Sequence, residues 1–339
     1  MNLVKPLVFK VVVALVAIAI PASASAELTC TAEAPCVMRI GSVAPPGTPW
    51  AKIVTKLKRR IGKKSGGRLK VKAFLGQALG GEKSIVRRAK KGTLEMIGVS
   101  TGALATVVPA LNAYELPYLV NSFAQADKVM DATFAQANAV MAKAGFELYF
   151  WSENGFRNFA TKDRFVKKPA DLRGMKMRAQ ESFVHTEMYK ALGAKPNPIP
   201  VAQVAEDLAN GVVAGYDNTL LYSYAAQWHK NIKYVTESNH IYQPAVIAYN
   251  KSWLDSLPAD LRALLLEDRE RQTKLGRKRI RATNSQFRGL MEKEGVQFAA
   301  PSAADRAAMR KATRGVYDVF KQRVGADGQK LLDAILKAR

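Results

Sequence analysis

Three polar residues carry the first chemical suggestion in this chain. In "GMKMRAQES", Gly174 to Ser182, two methionines alternate with Lys176 and Arg178. That is the period-2 pattern of a strand, with methionines on one face and cations on the other. The next stretch, "ESFVHTEMYKALGA", reads as a helix, so Arg178 stands where a strand gives way to a loop and a helix. Arg157 lies in "ENGFRNFATK" between Phe156 and Phe159, and Asn218 follows the short strand-like "VVAGYD" ahead of another helix. In open α/β sheets, ligands gather at the carboxyl ends of strands. Two arginines and an asparagine there would suit a small carboxylate, because the planar guanidinium meets a carboxylate with two parallel hydrogen bonds. The competing reading of Arg178 is a solvated charge at an exposed strand end.

Catalytic chemistry finds less support. The three histidines, His185, His229 and His240, sit in no nucleophile-elbow or H-E-x-x-H context, and there is no P-loop or G-x-G-x-x-G. His185 and His229 fall in helical patterns, where a surface histidine is the ordinary explanation. "GQALGGE" lacks the lysine and spacing that cradle phosphate and reads as a loop. No enzyme, metal site or cofactor is expected.

The chain opens with two lysines, a wholly apolar run over residues 11–20, and "ASA" before Glu27. That layout predicts a secretory signal peptide cleaved after Ala26, because the apolar run is shorter than the roughly 20 residues of a spanning helix. Cys30 and Cys36, the only cysteines, could then form a small-loop disulfide in an oxidising compartment. The formal charge is +24; removing two lysines with the leader leaves 50 − 28 = +22. So basic a chain attracts anions at long range. Export argues against nucleic acid as a partner. The runs "KLKRRIGKK", "RRAKK" and "RKRIR" look spread out and read as solvated helix faces.

These residues need elements to position them. "VMRIGSV", "RLKVKAFL", "LEMIGVS", "FELYFWSE", "FRNFATK", "GMKMRA", "VVAGYDN" and "HIYQPAVIAYN" read as strands. Between them lie helical patterns, among them one long helix over "FAQADKVMDATFAQANAVMAKAG". From Pro258 on, the chain is nearly all helical. Alternation of this kind predicts α/β layers with largely parallel sheets. The 313 residues after Ala26 (339 − 26) favour two domains over one.

In order and spacing, "FLGQALGGEKSIVRRAKKGTLEM", "YELPYLV", "ENGFRNFATK", "PADLRGMKMRAQES", "ALGAKPNPIPVAQVAEDLANGVVAGYDNTL" and "YNKSWLDSLP" make the chain similar to the solute-binding proteins of TRAP transporters, the DctP-type family. The resemblance spans nearly the whole mature chain. It implies a type II periplasmic-binding-protein-like fold, with two α/β domains around a ligand cleft. Domain I would hold residues 37–153 plus about 244–283, and domain II residues 154–243 plus about 284–339. It implies a long helix along both domains, here "PADLRALLLEDRERQTKLGRKRIRATNSQFRGLMEKEG". It also implies a monomer in the periplasm that hands a small organic acid to a membrane permease. The family's carboxylate-pairing arginine falls on Arg178, a supporting arginine on Arg157 and an asparagine on Asn218. Further cleft positions are expected at Thr48, Trp50, Ser100, Thr101 and Tyr216. "YDNTL" departs from the family's "QENPL"-like residues. Ser100 stands where some sialic-acid binders carry an acid, which speaks against that ligand.

Overall fold

The computed structural model describes residues 27–339, so the leader reading falls outside the described residues. The strands are β1 (Cys36–Ser42), β2 (Leu69–Phe74), β3 (Met96–Ser100), β4 (Phe146–Thr161), β5 (Lys176–Ala179), β6 (Lys195–Pro198), β7 (Gly215–Asn218), β8 (Tyr234–Asn250) and β9 (Gln297–Ala299). They form one sheet in the order β2-β1-β3-β8-β4-β7-β5-β6, with β9 on β8. One flank pairs β1 in parallel with β2 and β3, and the other pairs β5 in parallel with β6 and β7. The long strands β4 and β8 run antiparallel through the middle and belong to both flanks. Helices cover the flanks, which is why "MIGVS" of β3 is buried at every position. The outcome is an α/β fold with two lobes meeting at β4 and β8.

Three expected elements differ from those observed. "FELYFWSE" and "FRNFATK" are one strand, because Asn154 and Gly155 carry β4 onward through a register shift between Glu153 and Gly155. Gly155 has φ +105°, a value that costs glycine nothing. The helix over residues 123–143 is two, Phe123–Ala132 and Phe134–Lys143. Thr133 separates them, its hydroxyl donating to the Val129 carbonyl at 2.7 Å and bonding the buried Tyr114 hydroxyl at 2.7 Å. The long C-terminal helix is also divided, into Ala259–Leu266 and Arg269–Lys293. Asp268 between them is left-handed at φ 59°.

The helix Arg269–Lys293 lies along β4 and reaches both lobes. Arg277 pairs with Asp131 at 2.9 Å, and Arg281 with Asp127 and Glu153 at 2.7 Å each. Arg288 pairs with Glu237 of β8 at 2.7 Å. "RKRIR" is therefore no solvated face: its two outer arginines turn inward to acids that long-range packing brings beneath the helix. Near the N-terminus, Cys30 and Cys36 are joined by a disulfide.

Candidate functional site

Where the lobes meet, a cavity of about 50 Å³ opens between the strand ends. Arg178, Arg157, Asn218, Gln180, Ser100 and Gln243 are among the residues that line it. β5 delivers Arg178 from between β6 and β7, and the side chain is 2% exposed. Its Nε and Nη2 donate to the Ile199 carbonyl at 3.0 and 2.9 Å, and the guanidinium lies 5.3 Å from the Trp228 ring. Among the described residues no acid lies within 4.0 Å of it, and Nη1 has no acceptor. Burial, with the charge of Arg157 added, pushes this guanidinium down to about 10. A buried cation with no acid in contact, set beside a cavity, favours an anion there.

Arg157 is different. β4 and β7 pair so that it meets Asp217, with Nε donating to Oδ2 at 2.6 Å and Nη2 to the Asp217 carbonyl. Nη1 donates to Gln243 Oε1 at 2.8 Å. Burial opposes both charges. Even so, Asp217 raises the Arg157 guanidinium, while Arg157 and the His240 hydrogen bond hold the Asp217 carboxyl well below its usual range. Asp217 also accepts from the Tyr189 hydroxyl at 2.9 Å and sits 3.3 Å from His240 Nε2. The positive charge of Arg157 is thus spent inside the protein.

One acid, Glu82, does line the cavity. Glu82 opens the helix Glu82–Lys90, and its two oxygens accept from the Ser100 amide at 2.6 Å and the Ser100 hydroxyl at 2.8 Å. Burial raises its carboxyl above the usual value. Ser100 links onward to Gln180 at 2.9 Å, Gln180 to Gln243 at 2.6 Å, and Gln243 to the buried Glu115 at 2.8 Å. Asn218 Oδ1 accepts from the Thr219 amide at 2.8 Å, and its Nδ2 has no partner among the described residues. Among the described residues, the arrangement offers one cation without an acid in contact, one free amide donor and one carboxylate acceptor around a small, half-open space. That is binding chemistry.

Residues 40–323 match the family model for bacterial extracellular solute-binding proteins, family 7, named DctP. This chain belongs to that family. The likeness extends to a solute-binding protein of Verminephrobacter eiseniae, 32% identical over 74% of this chain and 75% of the relative. The C4-dicarboxylate-binding periplasmic protein DctP of Rhodobacter capsulatus is 27% identical over 86% of this chain and 89% of its own length. The crystal structure of the sugar acid binding protein DctPAm from Advenella mimigardefordensis, in complex with galactonate, superposes with a TM-score of 0.84. It is 27% identical, and the match covers 90% of this chain and 99% of that one.

In this family 7 solute-binding protein the expected site residues separate into two groups. Arg178, Arg157, Asn218, Ser100 and Trp50 line the cavity. Thr48, Thr101 and Tyr216 do not. Thr48 caps the helix Pro49–Lys64 by accepting from the Ala51 amide, Thr101 is bound to Glu115 at 2.5 Å, and Tyr216 packs its ring 5.2 Å from Trp228. The surface reading of His185 and His229 also fails. His185 is wholly buried on Glu115 at 2.6 Å, and His229 is 2% exposed with Glu294 at 2.9 Å. His185 lies on the buried face of the helix Phe183–Ala191 and His229 in the short turn Trp228–Asn231, and in each case an acid from another segment meets the imidazole. Glu82, Gln180, Tyr222 and Gln243 line the cavity without having been anticipated. Gln180 carried a usable signal, standing two residues beyond Arg178 and so on the same strand face. Gln243 interrupts the otherwise apolar run Ile241–Ala248 of β8, which was another. Glu82 carried none, since nothing local ties it to Ser100.

Proposed function

We propose that this TRAP-type solute-binding protein captures a hydroxylated organic monocarboxylate, unchanged, and hands it to a membrane permease. Buried Arg178, with no acid within 4.0 Å among the described residues, carries the reading. The ligand carboxylate would take its free Nη1 and the free Nδ2 of Asn218. Glu82 sets the other end. Ligand hydroxyls would donate to it, whereas a second ligand carboxylate would have to share a proton with an acid already raised by burial. A hydroxylated acid therefore suits the cavity better than a C4-dicarboxylate, in keeping with the galactonate bound to DctPAm.

On this reading, the lobes are residues 37–153 plus about 244–283 and residues 154–243 plus about 284–339. They close over the ligand about the crossings of β4 and β8, a hinge motion. The protein is exported with a leader cleaved after Ala26, works as a periplasmic monomer, and turns nothing over. A thermal-shift panel of aldonates, short hydroxy acids, 2-oxo acids and C4-dicarboxylates tests the ligand class. Hydroxylated monocarboxylates should raise the melting temperature most, and Glu82→Gln should shrink that shift while enlarging the one from succinate. A wild-type protein stabilised most by succinate would refute the role given to Glu82, and recovery of a chemically altered ligand would refute the binder. X-ray scattering should show compaction at saturating ligand; an unchanged radius of gyration would rule out the hinge.

A further inference from the structure

The positive charge, spread thinly in appearance along the chain, is concentrated in the segments that build the β2 edge of the sheet. Residues 52–91 hold fifteen lysines and arginines against one acid, Glu82, a net +14 of the +22 that follow Ala26. They make up most of the helix Pro49–Lys64, the edge strand β2 and the helix Glu82–Lys90. Thirteen of the fifteen are exposed. The reason is patterning: β2 buries Leu69 and Val71 and exposes Lys70 and Lys72, and both helices bury aliphatic stripes. Of these thirteen, Lys64 reaches Glu267 at 2.6 Å and Lys83 reaches Glu181 at 3.9 Å. The other eleven have no acid within 4.0 Å among the described residues.

We propose that this edge of the molecule docks on an anionic phospholipid surface, holding the solute-binding protein at the membrane that contains its permease. A specific protein interface would need large apolar anchors at its centre. The exposed large hydrophobic side chains, Leu28, Val212, Leu290 and Leu336, all lie outside residues 52–91. A chain-like polyanion would need a cationic groove to follow. Of the thirteen exposed cations, only Lys83 and Lys90 line a described cavity. What remains is a cationic sheet edge, β2, flanked by the basic helix Pro49–Lys64, about 24 Å long, on one face of the sheet and the basic helix Glu82–Lys90 on the other. Such an edge fits many mobile headgroups at once, each cation near the lipid surface changing the partition roughly fivefold.

The test uses residues 27–339, which contain the whole described fold, and cosedimentation with vesicles of phosphatidylglycerol or of phosphatidylcholine. One variant reverses six exposed, acid-free cations of the patch: Lys56, Lys63, Lys70, Lys72, Arg87 and Lys91, each to Glu. A control reverses six exposed lysines elsewhere: Lys128, Lys195, Lys230, Lys311, Lys321 and Lys330. The wild type should sediment with phosphatidylglycerol alone, less so as salt rises. The patch variant should lose more than about a hundredfold in partition, and the control should lose far less. Circular dichroism and melting of both variants exclude misfolding as the cause. Equal losses in the two variants would assign the effect to net charge and overturn the proposal. No sedimentation of the wild type would overturn it outright. Binding to heparin through the same six residues, with none to vesicles, would transfer the surface to a soluble polyanion and overturn it too.

Discussion

Arg178→Ala should weaken ligand binding by about 2–5 kcal/mol, the cost of truncating one side of a buried charge pair. It should not weaken the empty protein in proportion. Arg178 is a desolvated cation with no acid within 4.0 Å among the described residues, and burial and Arg157, against a weaker pull from Asp217, push it down to about 10. Removing it relieves that desolvation and the repulsion from Arg157, at the loss of two hydrogen bonds to the Ile199 carbonyl and the contact with Trp228. In the closed complex the same change leaves the ligand carboxylate desolvated and unpaired. The variant should therefore bind poorly while unfolding close to the wild-type denaturant midpoint. Arg178→Lys keeps the charge but loses the planar fork, so affinity should fall less and discrimination among acids should worsen. Titration calorimetry and denaturant unfolding on the three proteins decide the matter. Undiminished affinity in Arg178→Ala would end the carboxylate-clamp assignment.

Arg157→Ala should do the reverse, with its main cost in the fold. Arg157 is a buried member of an ion pair, and removing one partner of such a pair costs about 3–5 kcal/mol because the other charge is left stranded. The stranded group is Asp217, held well below its usual range chiefly by Arg157 against the opposing effect of burial. A carboxyl with a lowered folded value contributes stability that is present above its unfolded value and lost as pH falls through the folded one. Buried His240, also lowered, acts in the same direction from about pH 6.5 downward, since the unfolded imidazole takes a proton that the folded one declines. The wild type should therefore lose stability on acidification. Arg157→Ala should start lower at neutral pH and lose less on the acid side, because its Asp217 carboxyl has risen towards the unfolded value. Denaturant midpoints at neutral and acid pH measure both effects. A neutral-pH midpoint within error of wild type would show that the pair contributes nothing.

The sequence by itself determined the α/β class, because local hydrophobic periods of two and of 3.6 report which face of each segment is buried. It also pointed to Arg178, since residues near the end of a strand that precedes a helix lie on the ligand side of an open sheet, and the family resemblance favoured that reading over a solvated charge. The continuity of β4 was hidden: Asn154 and Gly155 look like a turn, and only pairing with β8 makes them a bulge inside a strand. The state of Arg157 was hidden as well, because its neutralising partner Asp217 lies 60 residues away and meets it through the register of β4 on β7. The same holds for His185, brought to Glu115 from 70 residues away, and for Glu82, which meets Ser100 only once the helix Glu82–Lys90 packs against β3. Periodicity is a property of neighbouring residues, so it survives in the sequence. Whether a buried charge is matched or left free depends on which distant group the sheet register sets against it, and at the cleft that matching separates Arg178, free for an anion, from Arg157, already neutralised by Asp217.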